Sequence, residues 1–387
     1  MKAKKIKEGI YWVGAVDWDL RNFHGYLTQR GSTYNAYLIV DEKITLVDSV
    51  KANKTDEMLA RIRDVIDPAK IDYVVCNHVE MDHSGSIPAV LALAPGAEVI
   101  ASPKGVEGLK AHFNQPWSYK QVNSGDNLSL GKRTLTFVAT PMVHWPDNMV
   151  AYLVEDKILF SNDAFGQHYA SSGLFDDENP HDIVMHEARK YYANIVLPYS
   201  KQVTKALKIL GGLEIECIAC SHGVLWRKHI SEIIKQYQAW SSNVTATKAV
   251  IVYDTMWNST EMMAYAIQDA FEEKGYVTVM CNLQNVHISD IMTEIIDAEY
   301  VCAGSPTLNR TLMPSVAGFL TYLKGLSPQG RKAIAFGSYG WGGQSIKDVE
   351  KYLLDSNMEV KGSYKFKYIP GNNDLKEIKS QVKEQIN

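Results

Sequence analysis

The chain has 387 residues, more than one hydrophobic core ordinarily serves, which favours two domains. Forty lysines and arginines against forty-four aspartates and glutamates leave a formal charge of -4, with no net attraction to nucleic acid or to a membrane surface. No stretch reaches the roughly 18 consecutive apolar residues of a membrane span, and the N-terminal "MKAKKIKEGIYWVG" has lysines without a signal-type apolar run. Five scattered cysteines suit a reducing compartment better than a disulfide framework. A cytoplasmic protein without nucleic-acid or membrane partners is expected.

Up to about residue 230, short β-branched runs alternate with loops and a few helices. "YNAYLIV", "ITLVDSV", "YVVCN", "AEVIAS", "LTFVAT", "NMVAYLV" and "KILFSND" read as strands, several of them separated only by turn-like pairs such as Asp41-Glu42, so antiparallel pairing is expected to dominate. Helical patterns, "TDEMLARIRDVI" and "VTKALKILGGL", sit between some of them. The mixture predicts sheets packed on one another with helices outside. After the polar cluster at Ser241 to Thr247 the grammar changes to strict alternation, from strand "KAVIVYD" and helix "STEMMAYAIQDAFEEKG" to strand "KAIAFGSYG" and helix "SIKDVEKYLLDS". That is the pattern of a parallel, doubly wound α/β domain. The expected domains are 1–245 and 246–387.

"CNHVEMDHSGS" places His78, Glu80, Asp82 and His83 together after the apolar strand "IDYVV". On a loop at a strand's end His78 and Glu80 would point one way and Asp82 and His83 another, which favours two adjacent metal ions. Downstream, His144, Asp163 and His222 each follow an apolar run, in "PMVHWPDN", "LFSNDAFG" and "CIACSHG". Each alone reads more readily as a hydrogen-bonding loop residue, but all recur at the end of a strand.

The order His-x-Glu-x-Asp-His, His, Asp, His resembles the metallo-β-lactamase-like αββα sandwich in the variant found in flavodiiron proteins, also called A-type flavoproteins. "VDWDLRNFHGY", "GSTYNAYLI" and "SHGVLWR" are similar to the wording of that family, and the C-terminal half resembles its flavodoxin-like domain. The resemblance implies that His78, Glu80 and His144 hold the iron nearer the flavin. It gives Asp82, His83 and His222 to the other iron, with Asp163 bridging the pair. His83 is not a ligand in every member. It also suggests that His24 lies in the substrate pocket beside the distal iron, with Tyr192 or a neighbouring tyrosine near.

Chemistry supports the assignment independently. Hydrolytic members of the fold usually carry histidine where Glu80 stands, and an anionic oxygen there makes the site harder, which suits iron over zinc. Two divalent ions bring about +4 against -3 from the carboxylates, so a bridging hydroxide would make the site neutral and a bridging oxo group would leave it at about -1.

In the second domain "TMWNST", Thr255-Met256-Trp257-Asn258-Ser259-Thr260, lies between the first strand and first helix. Hydroxyls and backbone N–H groups at a helix N-terminus make an anion site. The loop matches a flavodoxin phosphate loop for FMN, and the glycine pattern of a dinucleotide site is missing. Two further loops fall at the expected switch-point crevice: Pro306, Thr307, Leu308 and Asn309 in "SPTLNR", and Ser338, Tyr339, Gly340, Trp341, Gly342 and Gly343 in "GSYGWGG". Tyr339 and Trp341 are placed to stack on an isoalloxazine ring. Cys217-Ile-Ala-Cys220 has the spacing of a redox pair but lies in an apolar strand, where a buried thiol is inert. The segment from His168 to Tyr192 reads as a pocket cover without ligands.

The resemblance implies an oxidoreductase reducing O2 to water, NO to N2O, or both. An external donor, rubredoxin or a reduced deazaflavin, would feed FMN. It also implies a head-to-tail homodimer or homotetramer that pairs each flavin with a partner's irons. A dizinc hydrolase with an appended flavodoxin module, and an electron carrier with a structural first domain, are the alternatives.

Overall fold

A computed structural model describes residues 1–386. The chain divides into two compact units, Met1–Tyr192 with Lys201–Gln238, and Ala193–Ser200 with the chain from Ala239 onward.

The first unit is built on two sheets. One has seven strands in the order Lys4–Lys7, Ile10–Trp12, Tyr37–Ile39, Thr45–Val47, Tyr73–Cys76, Glu98–Ala101 and Tyr119–Gln121. The other has five, Asn127–Ser129, Thr134–Ala139, Met149–Leu153, Ile158–Asn162 and Cys217–Cys220. Because side chains alternate across a strand, each strand of the first sheet serves two cores. Ile10, Trp12, Tyr37, Ile39, Val75 and Ile100 meet Leu135, Phe137, Ala151 and Phe160 of the second sheet. Their neighbours Leu38, Val74, Cys76 and Val99 pack instead with Met58, Leu59 and Ile62 of helix Thr55–Val65, and with Val90, Leu91, Val106 and Leu109 of helices Ile87–Leu93 and Pro103–Phe113.

Antiparallel pairing holds for the hairpins, but the first sheet turns parallel from Thr45–Val47 through Tyr119–Gln121. The reason is local: Thr55–Val65, Ile87–Leu93 and Pro103–Phe113 are crossover helices, and a crossover returns the chain in the same direction. Two of those helices were not expected from the sequence. Phe137 is 1% exposed at the centre of the core between the sheets. Phe137→Ala is therefore expected to destabilise this unit by about 3–5 kcal/mol, read as a lower urea midpoint for its transition.

In the second unit the strands run, in sheet order, Val277–Asn282, Ala246–Tyr253, Ala298–Gly304, Lys332–Tyr339 and Glu359–Lys367, all parallel. The chain thus reverses its direction of growth between Ala246–Tyr253 and Ala298–Gly304, and a crevice at the C-terminal strand ends is the consequence. Helices Ser259–Glu272, Ile288–Ile295, Pro314–Leu326, Gln344–Asp355 and Asn372–Gln385 alternate with the strands, as the apolar periodicity predicts.

Candidate dinuclear metal centre and flavin crevice

The tetrad after strand Tyr73–Cys76 is not all loop: Met81–Ser84 forms one helical turn, fastened by Ser84 Oγ donating to the Val79 carbonyl at 2.7 Å. The turn separates Asp82 and His83 in direction from His78 and Glu80. His144 comes from the connection between Thr134–Ala139 and Met149–Leu153, while Asp163 and His222 follow the ends of Ile158–Asn162 and Cys217–Cys220.

The seven side chains converge as two adjoining groups, His78, Glu80, His144 and Asp163 in one, Asp82, His83 and His222 in the other. All four histidines turn Nε2 inward. Asp163 Oδ2 lies 3.7 Å from His78 Nε2 and 3.2 Å from His144 Nε2, whereas Oδ1 lies 3.1 Å from His83 Nε2 and 3.4 Å from His222 Nε2. One carboxylate therefore gives one oxygen to each group. Glu80 Oε2 is 3.4 Å from both His78 and His144, and Asp82 is 3.4 Å from His83 and 3.2 Å from His222.

These separations have a simple meaning. Ligand atoms held by bonds of about 2.1 Å in tetrahedral or octahedral arrangement lie about 3.0–3.4 Å from one another. Among the described residues neither oxygen of Asp82, nor Oδ2 of Asp163, has an aligned hydrogen-bond donor, although all are buried. Atoms crowded at this spacing but not aimed at each other fit a common cation between them.

The electrostatics agree. Burial alone would lower the His83 pKa, but Asp82 and Asp163 outweigh it and hold it well above its usual value. Burial opposes the shift at His144 too, yet Asp163 and Glu80 bring it to about 9. The Asp163 carboxyl, which burial would raise, is driven well below the ordinary carboxylate range by His83 and His144. A pocket that attracts protons this strongly attracts divalent cations by the same charges, and the cations displace the protons.

Residues behind the ligands fix their orientation. Asp147 Oδ2 sits 2.9 Å from His78 Nδ1 and accepts from the Val79 N–H at 2.8 Å, and His222 Nδ1 donates to the Thr33 carbonyl at 2.7 Å. Each directs the opposite ring nitrogen into the centre. Asp147→Ala is expected to weaken metal binding about 10–100-fold, measured by competition with a chelator.

His24 stands at the tip of a small hairpin, Asn22–Phe23 with Tyr26–Leu27, its Nε2 3.4 Å from Glu80 Oε1 and its side chain 74% exposed. It thus approaches the Glu80 side of the centre rather than the group expected to be distal. Tyr191, the neighbour of Tyr192, donates to Asp163 Oδ1 at 3.0 Å. The Tyr192 ring instead stands edge-on to Tyr237 at 5.0 Å, since successive helical residues point about 100° apart.

Sequence reading passed over His168, which is fully buried and bonded to Ser32 Oγ at 2.8 Å through Nδ1. Its ring lies 4.9 Å from His222 and from Phe23, and 5.1 Å from Tyr191. The only sequence signal was its place five residues after Asp163. The rest of the expected cover divides: Asp176 accepts from the backbone of Arg227 and His229, and helix His181–Tyr191 follows. Cys217 and Cys220 are buried, and burial pushes the Cys217 thiol up to about 12 and raises that of Cys220.

In the second unit the three loops meet at the crevice. Asn258 takes a left-handed backbone, φ 64°, and caps helix Ser259–Glu272 without a side-chain bond, leaving its first N–H groups open. Thr255 Oγ1 is buried with no hydrogen-bond partner among the described residues. An orphan hydroxyl beside open N–H groups fits a phosphate. Thr260 Oγ1 lies 2.8 Å from Ser338 Oγ, and the Thr307 N–H donates to the Ser338 carbonyl at 2.9 Å, so the loops are mutually fixed. Gly337 is obligatory: a Cβ there would come within 2.0 Å of the Ser305 carbonyl. Met256, Trp257 and Trp341 are exposed, the two indoles by 86% and 91%. Leu308, Asn309 and Gly340 to Gly343 complete the rim, with Asn309 also left-handed at φ 49°.

A dinuclear centre on a lactamase-like sandwich and a flavodoxin-type crevice in one chain define a metalloflavoprotein class. Residues 33–223 match the family described as ODP family beta lactamase, and residues 251–379 match flavodoxin. The chain is 46% identical to the nitric oxide reductase of Moorella thermoacetica, over 92% of this chain and 90% of the relative. It is 42% identical to the rubredoxin-oxygen oxidoreductase of Megalodesulfovibrio gigas, over 99% and 97%. The solved structure of the Desulfovibrio gigas rubredoxin oxygen:oxidoreductase superposes with a TM-score of 0.96, covering 98% of this chain and 97% of that one. The flavodiiron protein from Giardia intestinalis, 38% identical, gives 0.96 over 100% and 96%. The chain belongs to the flavodiiron proteins.

Proposed function

We propose that this protein reduces dioxygen to water, nitric oxide to nitrous oxide, or both. The observation that carries the reading is the division of Asp163 between two ligand groups, one of them containing Glu80, in a chain that also carries the flavodoxin crevice. FMN supplies electron storage and two irons supply the redox-active positions for the gas. His78, Glu80 and His144 would hold one iron and Asp82, His83 and His222 the other, with Asp163 offering an oxygen to each. Asp147, Thr33 and Tyr191 keep those ligands aimed, and Phe23, Tyr26 and His168 close apolar and aromatic surface against the centre. Thr255 and the N-terminus of helix Ser259–Glu272 would hold the FMN phosphate, and Tyr339 and Trp341 would offer aromatic faces to the flavin.

Among the described residues no helix is long and apolar enough to cross a membrane, and the five cysteines are free and buried, which supports a cytoplasmic location. The relatives' names support rubredoxin as donor; a reduced deazaflavin is the alternative that the family resemblance alone implies. Exposed Trp257 and Trp341 support a head-to-tail homodimer or homotetramer that covers the flavin. An active monomer in sedimentation would overturn that assembly. For the activity itself, iron and FMN content are measured and the reduced protein is mixed with each gas. Rapid flavin reoxidation with two irons per chain is expected. Two zincs and no gas-dependent reoxidation would return the chain to the hydrolase reading.

A further inference from the structure

Beside the centre lies a small cavity of about 20 Å³. Val143, Val150, Phe165, Val203, Ala206 and Leu207 contribute to its wall, and only apolar atoms face it. Two of its three polar neighbours are bonded elsewhere, Ser161 Oγ donating to the Ala164 carbonyl at 2.8 Å and Tyr237 Oη accepting from the Phe165 N–H at 2.6 Å, and Thr140, the third, turns no polar surface into it. Water needs two to four polar partners to be stable in such a space, so this one is dry. Its size suits one small diatomic molecule, since a single water-sized sphere requires about 10–15 Å³ on the same measure.

Its place in the chain is the second observation. Val143 directly precedes His144, and Ala164 directly follows Asp163, so both wall residues are covalent neighbours of ligands in the Glu80-containing group. Phe165 extends the wall from the same connection, in a left-handed backbone at φ 68°. Helix Ser200–Leu210 closes the other side with Val203, Ala206, Leu207 and Leu210, none of which the centre requires.

We propose that this cavity is a holding site for the uncharged diatomic gas, which it gathers from water before the gas reaches the metals. The proposal rests on the gas-reductase reading and deepens it. Dioxygen and nitric oxide are weakly solvated and gain by entering a dry apolar space, whereas protons and anions are refused there. Ala206 and Leu207 set the capacity of the site, and the ligands set the chemistry.

The test uses the full FMN-loaded chain with its metals removed, methyl-labelled, under dissolved dioxygen. Paramagnetic relaxation of the Val143, Val150 and Val203 methyls is expected to exceed several-fold that of the likewise buried Val250 and Val301 in the other unit. Ala206→Val, which fills the space, is expected to abolish that excess. In the metal-loaded protein it should raise KM for the gas about fivefold with kcat unchanged, the signature of lost binding before reaction. Equal relaxation at all buried methyls in the wild-type protein would overturn the proposal whether or not the variant folds. Loss of the relaxation excess with KM unaltered would overturn it as well. Local dioxygen enrichment in a protein that, fully loaded, consumes neither gas would leave the holding site standing and sink the reductase reading instead.

Discussion

Asp163→Asn is expected to abolish gas reduction while FMN content and flavin reduction by the donor stay normal. The substitution is nearly isosteric, so the strand end that carries it keeps its place. What changes is the donor set: asparagine offers one carbonyl oxygen and one NH2, and the NH2 cannot ligate. Oδ1 and Oδ2 of Asp163 face different groups, so one group must lose its oxygen and both lose the shared charge. Removing one partner from a buried charged cluster costs about 3–5 kcal/mol, which corresponds to roughly 10²–10⁴ in metal affinity. Iron content below two per chain, a silent oxygen electrode and an intact flavin spectrum are the expected readings. Full gas reduction by the variant would show that Asp163 is not the carboxylate the two groups share.

Glu80→His is expected to shift the metal preference from iron toward zinc and to lower gas reduction in proportion. Glu80 Oε2 stands 3.4 Å from His78 and His144, so its loss replaces the anionic oxygen of that group with a neutral nitrogen. The group becomes softer and loses one negative charge, which favours the ion that hydrolytic relatives of the fold use. His24, 3.4 Å from Glu80 Oε1, loses its partner in the same change. Metal analysis after loading with equimolar iron and zinc checks the preference. Retained iron with undiminished gas reduction would show that this carboxylate is not what selects the metal.

Much of this was legible in the chain because the elements obey simple periods. The period of two let each strand be recognised, and the strict alternation after residue 246 predicts the parallel sheet that the structure shows. All seven side chains expected at the metals do converge, because each follows an apolar run and strand ends of packed sheets lie together. Less legible was whatever depends on the third dimension. The parallel half of the first sheet was hidden because its crossover helices are short and weakly patterned. Asp147 looks like a turn residue until His78 is seen beside it, and His168 looks like part of a polar excursion until its ring is found against His222. Tyr191 and Tyr192 are indistinguishable in sequence, and only the helical phase says which one reaches Asp163.

The origin of the ligands has a consequence for the life of the chain. The tetrad follows a strand of the first sheet, whereas His144, Asp163 and His222 hang from the second. A metal pair bound by all of them is a rivet through two layers, and it cannot be set until His222, 144 residues beyond His78, has left the ribosome and Cys217–Cys220 has joined its sheet. On that ligand set iron loading would be a late event in biogenesis, and metals that bind the finished sandwich and not its parts would lock the layers in register.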